Sequence, residues 1–431
     1  MVFLEILTGS HSDIIYKIFK NILESIRMSF RKYATLFVIS ILIIIHACNP
    51  DDSPAIFDPT EVGASKPIIK SITPKDFALA AYDILTISGE NFSPFTDSIK
   101  GNMVYFYTDP KQKLPGKIIS ATTNEIKVIP PNIGGKNVYM VVVVPDAYET
   151  VTYGPYELKY VNEKIKGTAD EVVKVIAVDN NENVYEQTYP LSGNGSIYKI
   201  TPEGEKTLFA DLPFSQAGDM KFGNDGALYI QWNNNTNFYR IPAGGGQPEL
   251  IMKFPKRMKY FDFGPNNTIY AGGAKSFSAG VYLTDMNMKL PVQVGDYTTV
   301  DIKALCVYNE YLYVADQGSG GKGIYRSKIK PDGTLDNKEV YFDWASVPAQ
   351  YKNENINTII IAKDGSIIVA TTNNVDPIFK IKPDKTIEIL YPGLLYSPAT
   401  HLAWGKSEYF YQVRASDDPT KRGIYKIYFR N

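Results

Sequence analysis

Histidine and cysteine are nearly missing from this 431-residue chain, which has three His and two Cys. Only His401 and Cys306 lie beyond residue 48. Histidine-rich zinc sites, CxxC clusters and a nucleophilic triad with its own set of histidines are therefore excluded. Charge of one sign is missing too: 45 basic residues stand against 46 acidic ones, so no polycation points to nucleic acid and no acidic tail to a basic partner. No apolar run is long enough to span a bilayer, which takes about 20 residues. The longest, residues 34–45, has about a dozen. The charge pattern of a helix bundle is also lacking. What is abundant is tyrosine, with 31 copies in a chain that is 13% aromatic, alongside 32 Gly and 27 Pro. Strand-favouring aromatics and turn-forming residues in this proportion indicate an all-β protein.

From residue 171 one pattern recurs six times: an apolar strand, a turn rich in Asn, Asp or Gly, a Tyr- or Ile-rich strand, then a second hairpin. The turns fall at Asp179, Asp225, Asn267, Asn309, Asp364 and Ser407. Their spacing of roughly 40–55 residues is that of a four-stranded propeller blade, and a helical solenoid is excluded. In the second blade the strands are expected at 219–222, 227–232, 237–241 and 249–254. The sixth repeat has only three strands before the chain stops, and an open edge must be covered. Residues 164–169 are expected to close the ring by strand exchange.

The first 65 residues read differently. Arg31 and Lys32 before the short apolar run, and Ile45-His46-Ala47-Cys48 after it, resemble a bacterial lipoprotein signal with Cys48 as the lipidated residue; Asp51 and Asp52 resemble a surface-export signal. Residues 1–27 fit no signal, so Met28 is the expected start and 28–47 the signal peptide. A Pro-, Asp- and Ser-rich tether, 48–65, follows. Residues 66–161 alternate short strands and turns in the manner of a small β-sandwich.

Within that segment Pro67, Ile72 and Pro74, the stretch Leu85 to Phe92 ending in Gly89-Glu90-Asn91-Phe92, and Val128-Ile129-Pro130 resemble the IPT/TIG family of immunoglobulin-like domains. Gly89 is expected to take a positive φ in a turn and Phe92 to plug the core. Ala80 and Ala81 stand where many family members have Gly. The repeats, through Val175 to Asp179 and Lys363 to Ala370, resemble the six-bladed NHL family. The whole order resembles Bacteroidetes surface lipoproteins that accompany polysaccharide uptake. That resemblance implies an outer-membrane, lipid-anchored, non-catalytic glycan-binding protein with the sandwich as spacer. Its expected neighbours are an outer-membrane transporter and other surface lipoproteins, with no nucleic acid and no membrane contact beyond the anchor.

Two groups of residues are candidates for the ligand. Counting back from each turn, Lys174, Asp219, Tyr260, Ala304, Thr358 and His401 should meet at one mouth of the central channel, where the polar members could bind a small polar ligand. On the same face, loops carry Tyr189, Trp232, Asn234, Phe277, Gln317, Trp344, Tyr351, Asn373, Tyr396 and Arg414. Flat aromatic faces stack on sugar C–H groups while amides and charges bond hydroxyls, so Trp232 and Trp344 are the sharpest of these. Cys306 reads as a small buried apolar residue and Trp404 as core. No cofactor is expected, calcium being left open. Two competing readings are a protein-docking module and a lactonase or lyase holding a metal through Asp219 and His401.

Overall fold

The computed structural model describes residues 17–24, 63–168, 172–190, 192–273, 280–285, 287, 290–318 and 321–430. Cys48 and Phe277 lie outside the described residues, as does the span on which the lipoprotein expectation rests. Residues 17–24 are an exposed helical stretch of a first unit that runs to Gly63. No helix among the described residues is long and apolar enough to cross a membrane.

Two sheets make the sandwich. One orders Ile68–Thr73, Leu85–Glu90, Glu125–Ile129 and Lys117–Ala121; the other orders Phe77–Leu79, Val151–Lys159, Gly135–Val143, Met103–Tyr107 and Leu114–Pro115. Strand alternation buries Leu85 and Ile87 against Phe106, Val128 and Met140, and Phe92 closes the core as expected. Gly89 corrects its expectation. It sits within a regular strand, and glycine is required there because a Cβ would overlap the Ile68 carbonyl oxygen and meet the Phe92 ring. The left-handed residue of this turn is Asn91, φ 61, whose amide donates to the Lys66 carbonyl. Ala81 also stands in the left-handed region, φ 59, where its methyl is crowded.

The rest is a six-bladed propeller, each blade a four-stranded antiparallel sheet. The innermost strands are Val172–Val178, Ala217–Phe222, Tyr260–Phe263, Ile302–Tyr308, Ile356–Ile361 and His401–Trp404. The tyrosines of the second strands explain their own abundance. Asp179 and Asp225 fold the first hairpin by accepting backbone N–H groups from Asn181 and Ala227, and each accepts a phenol, from Tyr185 and Tyr229, at 3.2 Å. Tyr411 of the sixth blade instead donates to Glu182 of the first, 2.8 Å, tying the ring together. Between blades the apolar faces meet, as in the cluster of Ile367, Val369, Phe379, Ile324 and Phe342.

Closure is by an N-terminal strand, shifted from the expected position. Asn162–Lys164 pairs with Gly423–Tyr428 through Asn162↔Ile427, Glu163↔Lys426 and Lys164↔Tyr425. The strand cannot run on through 169 because Lys166 and Gly167 turn, with Gly167 at φ 76. The sandwich is docked onto this seam: Leu79 and Val161 share a core with Ile368, Phe410 and Tyr428, and Arg430 grips the Asp83 carboxylate with both terminal nitrogens at 3.0 and 2.6 Å.

Candidate functional site

Strand register decides which residues share a level in the channel. The second strands align Tyr185, Tyr229, Tyr270, Tyr313, Ile368 and Tyr411 opposite Ala177, Lys221, Asp262, Cys306, Ile360 and Ala403. Two residues earlier, the level that contains Asp219, Tyr260, Ala304, Thr358 and His401 has Val175 in the first blade. Lys174 is thus misplaced by the turn count. A bulge between Val173 and Val175 leaves it out of the ladder, level with the bulged Gly218, Lys303 and Asn357 of blades two, four and five. With Lys259 and Thr400 these residues line a separate mouth of about 340 Å³, beside Gln317 and Asn355.

The channel is pinched where Tyr260, Thr358 and His401 border both this mouth and a larger cavity of about 720 Å³ on the other side. Asp219, Lys221 and Asp262 line the larger cavity. The Lys221 ammonium lies 3.0 Å from Asp262 and 3.8 Å from Asp219. Burial by itself would lower its pKa, yet the two carboxylates outweigh that and raise it. Burial likewise pushes the Asp219 carboxyl up, but Lys221 and His401 hold it below its ordinary value. His401 accepts the Ile176 N–H at Nδ1, 3.5 Å, which leaves the proton on Nε2, 3.6 Å from Asp219. The Cys306 thiol donates to the Ile359 carbonyl, 3.2 Å, and burial pushes its pKa up to about 12, as suits a small packed residue. Lys221 and Asp262 were missed from sequence because one position per strand was counted, whereas period-two alternation brings the next inward residue to the same channel.

Among the described residues no group of three or more His, Cys, Asp or Glu stands together in a way that could hold a metal ion. What stands beside the Asp219 carboxylate, with the His401 imidazole, is the Lys221 cation.

The loop candidates separate sharply. Trp344 is 3% exposed in a short 3-10 turn, and its indole N–H donates to the Tyr351 carbonyl, 3.0 Å. Tyr351 is fully buried and both rings pack on Phe379, so these two are core, contrary to expectation. Asn373 is buried as well: its Oδ1 accepts the Val375 and Asp376 N–H groups and shapes its own loop. Asn234 serves the backbone at φ 50 between the second and third strands. Gln317 does reach the mouth, bonded to Asn355, 2.7 Å, and to the Ile356 N–H, 2.8 Å. Tyr189 is 37% exposed under the Lys174 ammonium, and Tyr396 is 39% exposed under the Arg414 guanidinium. Trp232 is half-buried and stacked on Phe214 at 5.1 Å. Trp404 is half-buried rather than fully core, borders the larger cavity and packs edge-on to Phe410 and Phe429.

Residues 67–160 match the model of the IPT/TIG domain family. No curated protein matches the chain. Among solved structures, a protein of unknown function from Bacteroides thetaiotaomicron VPI-5482 is similar with a TM-score of 0.47 and 16% identity, covering 87% of this chain and 100% of that one. A gluconolactonase from Xanthomonas campestris gives a TM-score of 0.47 at 12% identity over 62% of this chain and 89% of its own. Regucalcin, a calcium-binding protein from Agrobacterium tumefaciens, gives 0.45 at 12% identity over 62% and 96%.

Proposed function

We propose that this protein is a non-catalytic, lipid-anchored outer-membrane protein that binds a polysaccharide or oligosaccharide as part of a glycan-uptake system. The site is the propeller face around the 340 Å³ mouth. The observation that carries the reading is the pairing of polar and aromatic surface there. Gln317, Asn355 and Asn357 border the opening. Asn357 spends its amide N–H groups on the Thr371 and Ala399 carbonyls, 3.1 and 2.8 Å. The exposed rings nearest to the opening are Tyr189, under Lys174 of the mouth, and Tyr396, under Arg414 next to the rim residue Ala415, and Trp232 pairs with Ala217 of the mouth's lining. Stacking surface beside hydrogen-bonding groups is the arrangement a sugar chain requires.

Affinity electrophoresis of the purified protein through plant, host and microbial polysaccharides tests the reading, beside a Tyr189→Ala, Tyr396→Ala double variant. Retardation by a glycan that is recovered unaltered, and lost in the variant, supports it. A shortened or ring-opened glycan makes the protein an enzyme. Failure to bind any glycan transfers the face to a protein partner, which would need a contiguous patch on the order of 800 Å².

A further inference from the structure

We infer that the glycan taken at this mouth is acidic, its carboxylate or sulfate groups seated among cations that the fold leaves without a carboxylate partner. The inference rests on the glycan reading above and adds the class of ligand. Three bulge-level lysines, Lys174, Lys259 and Lys303, line one small mouth. Lys303 is answered by Asp301 at 3.1 Å. Lys174 and Lys259 have no carboxylate within ion-pair distance among the described residues, and neither has Arg414 beside the rim residue Ala415. Each rests on an aromatic face, Lys174 on Tyr189 at 5.0 Å, Lys259 on Tyr260 at 4.9 Å and Arg414 on Tyr396 at 4.8 Å, and Arg414 also donates its Nε–H to the Ser397 carbonyl, 2.8 Å.

Such an arrangement is costly in the free protein. Partly desolvated cations gathered at one opening repel one another, and a ring face returns only a fraction of what an anion would. Lys259 records this: burial lowers its pKa, and Asp219 and Asp301 offset only part of that. The chain as a whole has a net charge of −1, so the cluster is a local feature and not a general basicity. The three cations without a carboxylate come from blades one, three and six, Lys174 and Lys259 inside the mouth and Arg414 next to its rim residue Ala415. A chain bearing an acid group on successive sugars offers them several anions, with the exposed rings of Tyr189 and Tyr396 beside it.

The test is calorimetry of the purified protein with polygalacturonate, alginate and chondroitin sulfate, against neutral galactan and dextran, at two salt concentrations. Binding to a uronate or a sulfated chain, weakened by salt, is the expected result, and the pattern across the three acidic chains tells carboxylate from sulfate recognition. A Lys174→Gln, Lys259→Gln variant should bind at least about tenfold more weakly and lose most of its salt dependence. Lys426→Gln, a cation over Tyr409 on the third strand of blade six, should bind as the parent does. A neutral glycan bound as tightly as an acidic one, unaffected by salt or by the double variant, overturns the inference while leaving the glycan reading intact. No binding to any of the three acidic chains overturns the inference, and the glycan reading falls with it only if the wider polysaccharide panel fails as well.

Discussion

Replacing Lys221 with Met should destabilise the propeller in a manner that depends on pH. Lys221 is the only cation within ion-pair distance of Asp262 and, with His401, answers Asp219 among the described residues. At 3.0 Å and an effective dielectric of about 20 its attraction to Asp262 is about 5 kcal/mol before desolvation. The ammonium itself is desolvated, and both carboxylates keep backbone donors when it is gone: Met220 and Phe261 for Asp219, Phe263 and Val307 for Asp262. The net loss is therefore about 2–3 kcal/mol, below the usual toll of breaking a fully buried pair. Across a unit of this size, that corresponds to a fall in Tm of about 3 °C. Asp219 titrates below its ordinary value in the folded protein, so the stabilisation is complete above that ordinary value and is lost as pH falls through the folded one. The Lys221 share, raised in the fold, disappears only in strong alkali. Thermal melts followed by circular dichroism should accordingly show the variant lagging at pH 7 and a narrower gap at a pH below the ordinary aspartate value. A deficit of equal size at both pH values would refute the electrostatic account and make Lys221 a packing residue.

Trp344→Ala should cost about 3–5 kcal/mol in a denaturant titration and leave ligand affinity per folded molecule unchanged, since the indole is core. Ala81→Gly should raise stability by about 1 kcal/mol by relieving the left-handed alanine, whereas Gly89→Ala should unfold the sandwich through its clash with Ile68; melts of the two variants check both signs. Glu163→Pro removes a ladder donor from the closing strand and should open the seam, seen as faster proteolysis between the sandwich and the first blade, at a cost of about 3 kcal/mol. Lys259→Met should make the ligand-free protein more stable, by about 0.5–2 kcal/mol, while weakening binding.

The repeat was legible because its chemistry is local. An Asp folding a hairpin and a Tyr answering it from the next strand recur within ten residues, and the innermost strands are apolar because neighbouring blades cover both faces. The need for a closing strand could be read from the missing fourth strand of blade six; its position could not, because Gly167 ends it from outside the strand. Lys174 was assigned to the wrong level since a bulge leaves no mark in composition. Lys221 and Asp262 were in plain view and needed only the period-two rule. Trp344, Tyr351 and Asn373 show the opposite limit: a loop aromatic or amide looks alike in sequence whether it faces solvent or folds back on Phe379 or its own backbone.

Hydrogen exchange, with and without the polysaccharide that retards the protein, tests the central claim most directly because it reports which face is covered. Protection should appear around Tyr189, residues 232–235, residues 396–400 and Arg414, at the mouth that carries the cations without a carboxylate partner. Protection confined to the opposite hairpins, at residues 179–181 and 223–226 bordering the larger cavity, would contradict the account and move the ligand to the other end of the channel.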